Sequence, residues 1–174
     1  SVPILFDYLP FGELSLPVLL AMARAAREAN TFMILRAEDI RGELFSVISH
    51  LIPFLPAGPL DCFQQLIRQA RMVQLPFEQE VMKRVQQVKE INPQAVVSIR
   101  LPLTPQAEVQ VGELEVSGAE VLHLLADEKG REQNSPSPGF IKDSIRAVHL
   151  HLVRLGRRDG LSRPTRVSGL RARF

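Results

Sequence analysis

The chain has no tryptophan, one tyrosine and one cysteine in 174 residues, and each shortage narrows what it can be. A lone thiol, Cys62, can neither close an internal disulfide nor complete a cysteine-ligated cluster. Beside Phe63 on a predicted helix, it reads as a packed core thiol. No apolar run is long enough to span a bilayer. Ser1–Leu9 lacks the basic region and cleavage motif of a secretory signal, so a cytoplasmic protein is expected, with no membrane partner. A chain that starts on Ser1 without Met is expected to be processed or part of something longer. GxGxxG, GxxxxGK[ST] and GxSxG are all missing, which removes the main support for Rossmann dinucleotide binding, P-loop catalysis and hydrolase chemistry. Of the histidines, His149 and His151 are two apart on a predicted helix and cannot share a face, His123 alternates within a strand and His50 sits near a helix end. None is read as a metal ligand, and no metal site is expected.

What is present is a rhythm. Short runs rich in Val, Ile and Leu alternate with amphipathic helical stretches, which implies a parallel sheet with right-handed crossovers. Val2–Phe6 reads as a first buried strand. Ser15 and Pro17 open a helix with Leu16, Leu20, Ala23 and Arg27 along one side, and Asn30 stops it. Thr31–Leu35 is a second strand and Arg36–Asp39 a polar loop after it. Ile40–Leu51 is predicted helical, and Pro53, Pro56, Gly58 and Pro59 make an irregular connection. Asp61 is predicted to cap a helix carrying Phe63, Leu66, Ile67 and Ala70.

Arg71–Leu75 is a weak strand ended by Pro76. Phe77, Val81, Val85 and Val88 form a helical stripe that Asn92-Pro93 terminates. Ala95–Leu101 is the clearest strand. Thr104-Pro105 caps a helix buried through Ala107, Val111 and Leu114, which Gly118 closes. Ala119–Leu125 is another strand, followed by a long polar loop, Asp127–Gly139. Phe140, Ile141, Ile145, Val148, Leu152 and Leu155 mark a strong amphipathic helix, and Arg163–Ser168 is the last strand candidate. The alternation alone leaves two closures, an open doubly wound sheet or a barrel; the expected fold is α/β, an incomplete (β/α)8 barrel with about six to seven strands. It would occupy residues 1–169, with 170–174 an irregular basic tail.

Net charge is +2, but Arg154–Phe174 holds seven arginines against one aspartate. No nucleic-acid-binding motif accompanies this tail, and no nucleic-acid partner is expected. In parallel α/β folds ligands meet the loops at the C-terminal ends of strands. That rule selects Pro10–Glu13, Arg36–Asp39, Gln74, Arg100–Thr104, Ala126–Gly130 and Ser168-Gly169. Arg100 ends an apolar strand, where a guanidinium needs an anion to offset desolvation. A ligand, or an ion pair with Glu38 or Asp127, would serve equally. Glu38-Asp39 could do acid–base work or cap the following helix.

Several segments, in order, resemble the FMN-binding domain of the glutamate synthase family, a (β/α)8 barrel. They are Pro3-Ile4-Leu5 through Leu9-Pro10-Phe11-Gly12 and Leu14-Ser15, then Asn92-Pro93 through Ser98-Ile99-Arg100-Leu101, then Ser117-Gly118-Ala119 through Leu124. Phe140–Leu155, Arg158-Asp159 and Val167-Ser168-Gly169 complete the set. The resemblance implies a flavin-dependent oxidoreductase of glutamate biosynthesis, with a small-molecule substrate and an electron-donor subunit. FMN would lie along Pro10 and Phe11, with Glu38, Gln74 and Arg100 at strand ends and Ser168 and Gly169 leading toward its phosphate. Arg100 stands where the family has lysine. The family's cluster cysteines are missing, so no iron–sulfur cluster is expected. The alternatives are a non-catalytic scaffold barrel and a barrel enzyme acting on a phosphorylated metabolite. An unclosed parallel barrel would also expose strand edges and self-associate.

Overall fold

The structure, a computed structural model, describes residues 4–9 and 14–154, and the backbone of 166–167. Six parallel strands form one sheet in sequence order. They are β1 (Met33–Arg36), β2 (Leu51–Phe54), β3 (Met72–Pro76), β4 (Val96–Pro102), β5 (Val121–Leu125) and β6 (Arg166–Val167). The N-terminal segment 4–9 adds a position ahead of β1. Phe6 bridges Met33 in parallel, donating to Phe32 O at 3.0 Å and accepting from Ile34 N–H at 2.7 Å. Strict sequence order with parallel pairing is the pattern of a (β/α)8 barrel wall, and the expected fold class stands.

The helices are α1 (Leu16–Glu28), α2 (Gln64–Gln69), α3 (Val81–Ile91), α4 (Ala107–Val116) and α5 (Ile141–Arg154). α1 buries Leu19, Leu20, Ala23 and Ala26. Its stripe is rotated from the predicted one: Leu16 is exposed and Arg27 lies in solvent beside Glu28, because burying a cation in an apolar layer is costly. Asn30 stops the helix at φ 50°, the left-handed conformation that asparagine tolerates. α3 buries Val81, Val85 and Val88 as its periodicity predicts, and α4 buries Ala107, Val111 and Leu114.

Several local expectations are corrected. The predicted helix over 40–51 is a 3-10 segment, Gly42–His50, with non-helical backbone at Val47. The proline-rich connection contains β2. Proline normally excludes a central strand because it lacks a ladder donor. Here Phe54 pairs with Gln74, and Leu55 N–H donates to Gln74 O at 2.9 Å. Strand alternation therefore turns the missing Pro53 N–H toward β3, where pairing is confined to that one register. Asp61 begins a short 3-10 turn and caps nothing, and Cys62 beside it is exposed rather than packed. The helix that follows, α2, buries Leu66 and Ile67 and leaves the thiol on the outside. The Thr104 hydroxyl does not cap α4. Among the described residues it has no partner, because the helix starts at Ala107 after an extra turn.

Residue parity divides the wall into two faces. Met33, Leu35, Leu51, Leu55, Val73, Leu75, Val97, Ile99, Leu101 and Leu122 join the helices in one apolar cluster. The alternate positions face the other way: Ile34, Ile52, Gln74, Ser98, Arg100, Val121 and His123. No helix among the described residues is long and apolar enough to cross a membrane.

Candidate functional site

The inner face is apolar toward the N-terminal ends of the strands, at Ile34, Ile52 and Val121, and polar toward their C-terminal ends. Arg100, in β4, is 7% exposed. A buried guanidinium must be paired, and its partner is Asp7. Nη1 donates to Oδ1 at 2.9 Å and Nη2 to Oδ2 at 2.8 Å, a bidentate fork. Asp7 therefore replaces Glu38 and Asp127 as the ion-pair partner. Its side chain is 36% exposed, so the carboxylate stands between the buried guanidinium and solvent.

This contact also reports the shape of the wall. From segment 4–9 to β4 is four strand steps, about 19 Å in a flat sheet. An Asp and an Arg side chain cannot bridge that. The wall must curl so that these inner-face groups converge, as a barrel requires.

Gln74, in β3, is 1% exposed and links the ion pair to β5. Its Oε1 accepts from Arg100 Nη1 at 3.3 Å. Its Nε2 lies 2.9 Å from His123 Nδ1 and donates to Ser98 Oγ at 3.3 Å. Arginine only donates, so the carbonyl end of Gln74 must face it, and the amide N–H2 must face the imidazole. His123 Nδ1 is then the acceptor, and its proton sits on Nε2. Burial and the Arg100 charge hold the His123 pKa below its ordinary value, against a smaller opposing effect of Asp7. The hydrogen-bond geometry and the electrostatics both specify a neutral imidazole.

Aromatic rings surround the pair. Tyr8 stacks on Phe54 with centroids 5.7 Å apart and planes 15° from parallel. The Arg100 guanidinium carbon lies 4.8 Å from the Tyr8 centroid and 5.7 Å from that of Phe54. Tyr8 N–H also donates to Asp7 Oδ1 at 2.9 Å. Oδ1 thus accepts two hydrogen bonds and Oδ2 one, which leaves an acceptor position free on Oδ2.

Of the residues singled out from sequence, the structure brings together Gln74 and Arg100. Glu38 is exposed in a 3-10 turn, Ala37–Asp39, after β1, and no side chain caps that turn. Pro10, Phe11, Ser168 and Gly169, and the basic tail, lie outside the described residues. Asp7 and His123 were missed. Parity carried the signal for His123, which pairs in register with Arg100 and so shares its face. Among the described residues no three His, Cys, Asp or Glu side chains could together hold a metal ion. The four lysines lie on α3, in the loop after β5 and on α5, so none projects from the wall.

A groove of about 820 Å³ lies on the helix side, between the Gly58–Asp61 loop and α3. Its buried cation, Arg84, is committed to Glu78 Oε1 at 2.7 Å and Pro56 O at 2.6 Å. We place the candidate site on the inner face instead, where the strand ends and the His123 shift coincide.

No family model matches the sequence, and no curated protein does. Two solved structures share the fold. One, described as "QR15, an Aldolase", has a TM-score of 0.59 at 10% identity over 86% of this chain and 75% of its own. The other, a 3-hexulose-6-phosphate synthase, has a TM-score of 0.52 at 17% identity over 82% of this chain and 73% of its own. These findings overturn the glutamate synthase resemblance and the oxidoreductase function drawn from it. The strand segments among those quoted, around β4 and β5, are apolar on one parity and mixed on the other, a pattern set by the two faces of a barrel strand rather than by one family. The expectations of FMN and an electron-donor subunit rested on that resemblance alone. The Arg100 guanidinium is already spent on Asp7 and Gln74. At these identities the neighbours establish the architecture alone: this chain folds as an incomplete (β/α)8 barrel.

Proposed function

We propose that the inner face is the active site of a small-molecule enzyme that moves a proton next to a carbonyl group. That step is common to enolisation and to aldol-type making and breaking of carbon–carbon bonds. The observation that carries this reading is the buried relay on the inner face, in which Gln74 joins His123, 2.9 Å away, to the Arg100–Asp7 pair. Asp7 takes the C–H proton on Oδ2, the oxygen with an acceptor position to spare. The Nε2–H of His123 hydrogen-bonds the carbonyl oxygen as negative charge develops there, the task of an oxyanion donor. Gln74 and Arg100 act as positioning residues: Gln74 holds the tautomer and Arg100 the carboxylate. The proton on Asp7 passes to water, and the return step delivers a solvent proton to carbon. The neighbours named as an aldolase and as a sugar-phosphate synthase support a reaction of this class. With no lysine on the wall, an iminium route has no nucleophile there, and the proton transfer falls to Asp7 and His123.

Deuterium exchange tests the proposal without knowledge of the natural substrate. Dihydroxyacetone, dihydroxyacetone phosphate and pyruvate are each incubated with the protein in D2O, and loss of the C–H signal is followed by NMR. Exchange above the protein-free rate is expected for at least one of them. Asp7→Asn should lower it by about 10²-fold or more, and His123→Asn by about 10–10²-fold. No exchange by the unaltered protein, or equal exchange by both variants, would overturn the reading.

A further inference from the structure

Arg36 closes β1 on the inner face, in register with Phe54. Its guanidinium carbon sits 5.5 Å from the Tyr8 centroid, on the ring that also contacts Arg100. The two arginines nevertheless differ in what neutralises them. Arg100 is buried and its charge is matched by Asp7. Arg36 is exposed, and none of the ion pairs or side-chain hydrogen bonds among the described residues involves it. Glu38 and Asp39, two and three residues on in the 3-10 segment, form no ion pair with it among the described residues.

The charge balance points the same way. Asp7 and Arg100 cancel, and His123 is neutral. The inner-face groups described therefore carry one unmatched positive charge, that of Arg36. Stacking on Tyr8 restrains a side chain that would otherwise lose much rotamer freedom on binding. Its planar fork of N–H donors is suited to two oxygens of one acidic group.

We propose that Arg36 anchors an oxyanion group, phosphate or carboxylate, on the small molecule that the inner face takes. The inference rests on the site proposed above and names its substrate class: a carbonyl compound carrying an acidic group. Tyr8 supplies the platform that aims the guanidinium, and Asp7, behind it, reaches the carbon to be deprotonated.

Binding titrations followed by NMR test this, with dihydroxyacetone phosphate, pyruvate and neutral dihydroxyacetone as probes. The variants are Arg36→Gln, Arg36→Lys and, as a control, Arg24→Gln, whose guanidinium is paired with Glu43 on the surface. Arg36→Gln should weaken an acidic probe by at least about tenfold and leave the neutral probe within about twofold. Arg36→Lys should recover part of the loss, and Arg24→Gln should bind as the unaltered protein does. The acidic probe that shows the larger loss identifies the oxyanion. If neither acidic probe binds, if Arg36→Gln binds them normally, or if it weakens all three probes equally, the inference is wrong. Titration needs no turnover. Failure of deuterium exchange would sink the catalytic reading and leave the anchor standing, whereas normal binding by Arg36→Gln would sink the anchor alone.

Discussion

β4 shows two chemistries on one strand. Toward the helices it presents Val97, Ile99 and Leu101, all at most 1% exposed and all within the main apolar cluster. Toward the inside it presents Ser98 and Arg100, 2% and 7% exposed. Burial is nearly equal on the two faces, so burial alone does not separate scaffold from site. Partner choice does. The helix-side residues gain from contact with any well-shaped apolar neighbour. The inner residues need specific partners: Asp7 of segment 4–9 and Gln74 of β3 bond one guanidinium, and Gln74 carries the link on to His123 of β5. The two buried arginines repeat the lesson. Arg84 ties α3 to Glu78 and Pro56 on the helix side, whereas Arg100 holds Asp7, which only a curled wall brings near.

The comparison can be broken from either side. The largest effect is expected at Ile99, fully buried on the helix side. Ile99→Ala should destabilise the fold by about 2–5 kcal/mol in chemical denaturation, through lost transfer energy and an unfilled cavity. It should leave the His123 titration, followed by NMR, where it is in the parent protein. Arg100→Met should cost about 3 kcal/mol, because Asp7 and Gln74 lose their partner while Asp7 keeps some access to water. Unlike Ile99→Ala, it should raise the His123 pKa, since it removes a nearby positive charge. If both substitutions moved the imidazole equally, the two faces would not be electrostatically distinct.

A smaller effect follows from the lowered His123 pKa. In the unfolded chain His123 gains its proton as pH falls through about 6.5, whereas in the folded chain it resists until lower pH. Its contribution to stability is therefore complete above about pH 6.5. Between that pH and the lowered folded value it declines by at most about 1.4 kcal/mol per pH unit. Melting temperatures measured from pH 7.5 downward should fall less steeply for His123→Asn, whose amide oxygen can still accept from Gln74. Identical slopes would remove His123 as the source. The smallest effect is expected at Glu38. Glu38→Gln should change stability by less than about 0.5 kcal/mol, because the side chain is exposed and no ion pair among the described residues involves it.

Much of the wall was legible because its apolar runs are continuous, as in strands buried on both faces. Gln74 and Arg100 stood out as polar residues inside such runs. Asp7 did not, because nothing local marks which distant charge a curled wall will bring to it. β2 was hidden by its proline, whose cost depends on a ladder that is sparse at that point. His123 lay in plain view, but only the question of which face it shares with Arg100 separates it from a core histidine. The quoted glutamate synthase segments misled for a related reason: they report what a barrel strand needs, and many barrels need it.

A double-mutant cycle on Asp7→Asn and Arg100→Met tests the central claim most directly, since it asks whether two residues four strand steps apart meet inside the wall. The cycle compares denaturation free energies of the parent, both single variants and the pair. A coupling of about 1–3 kcal/mol is predicted, with the double variant more stable than the sum of the single losses allows. Additive losses would mean that the groups do not touch, and the curled wall and the site built on it would both be wrong.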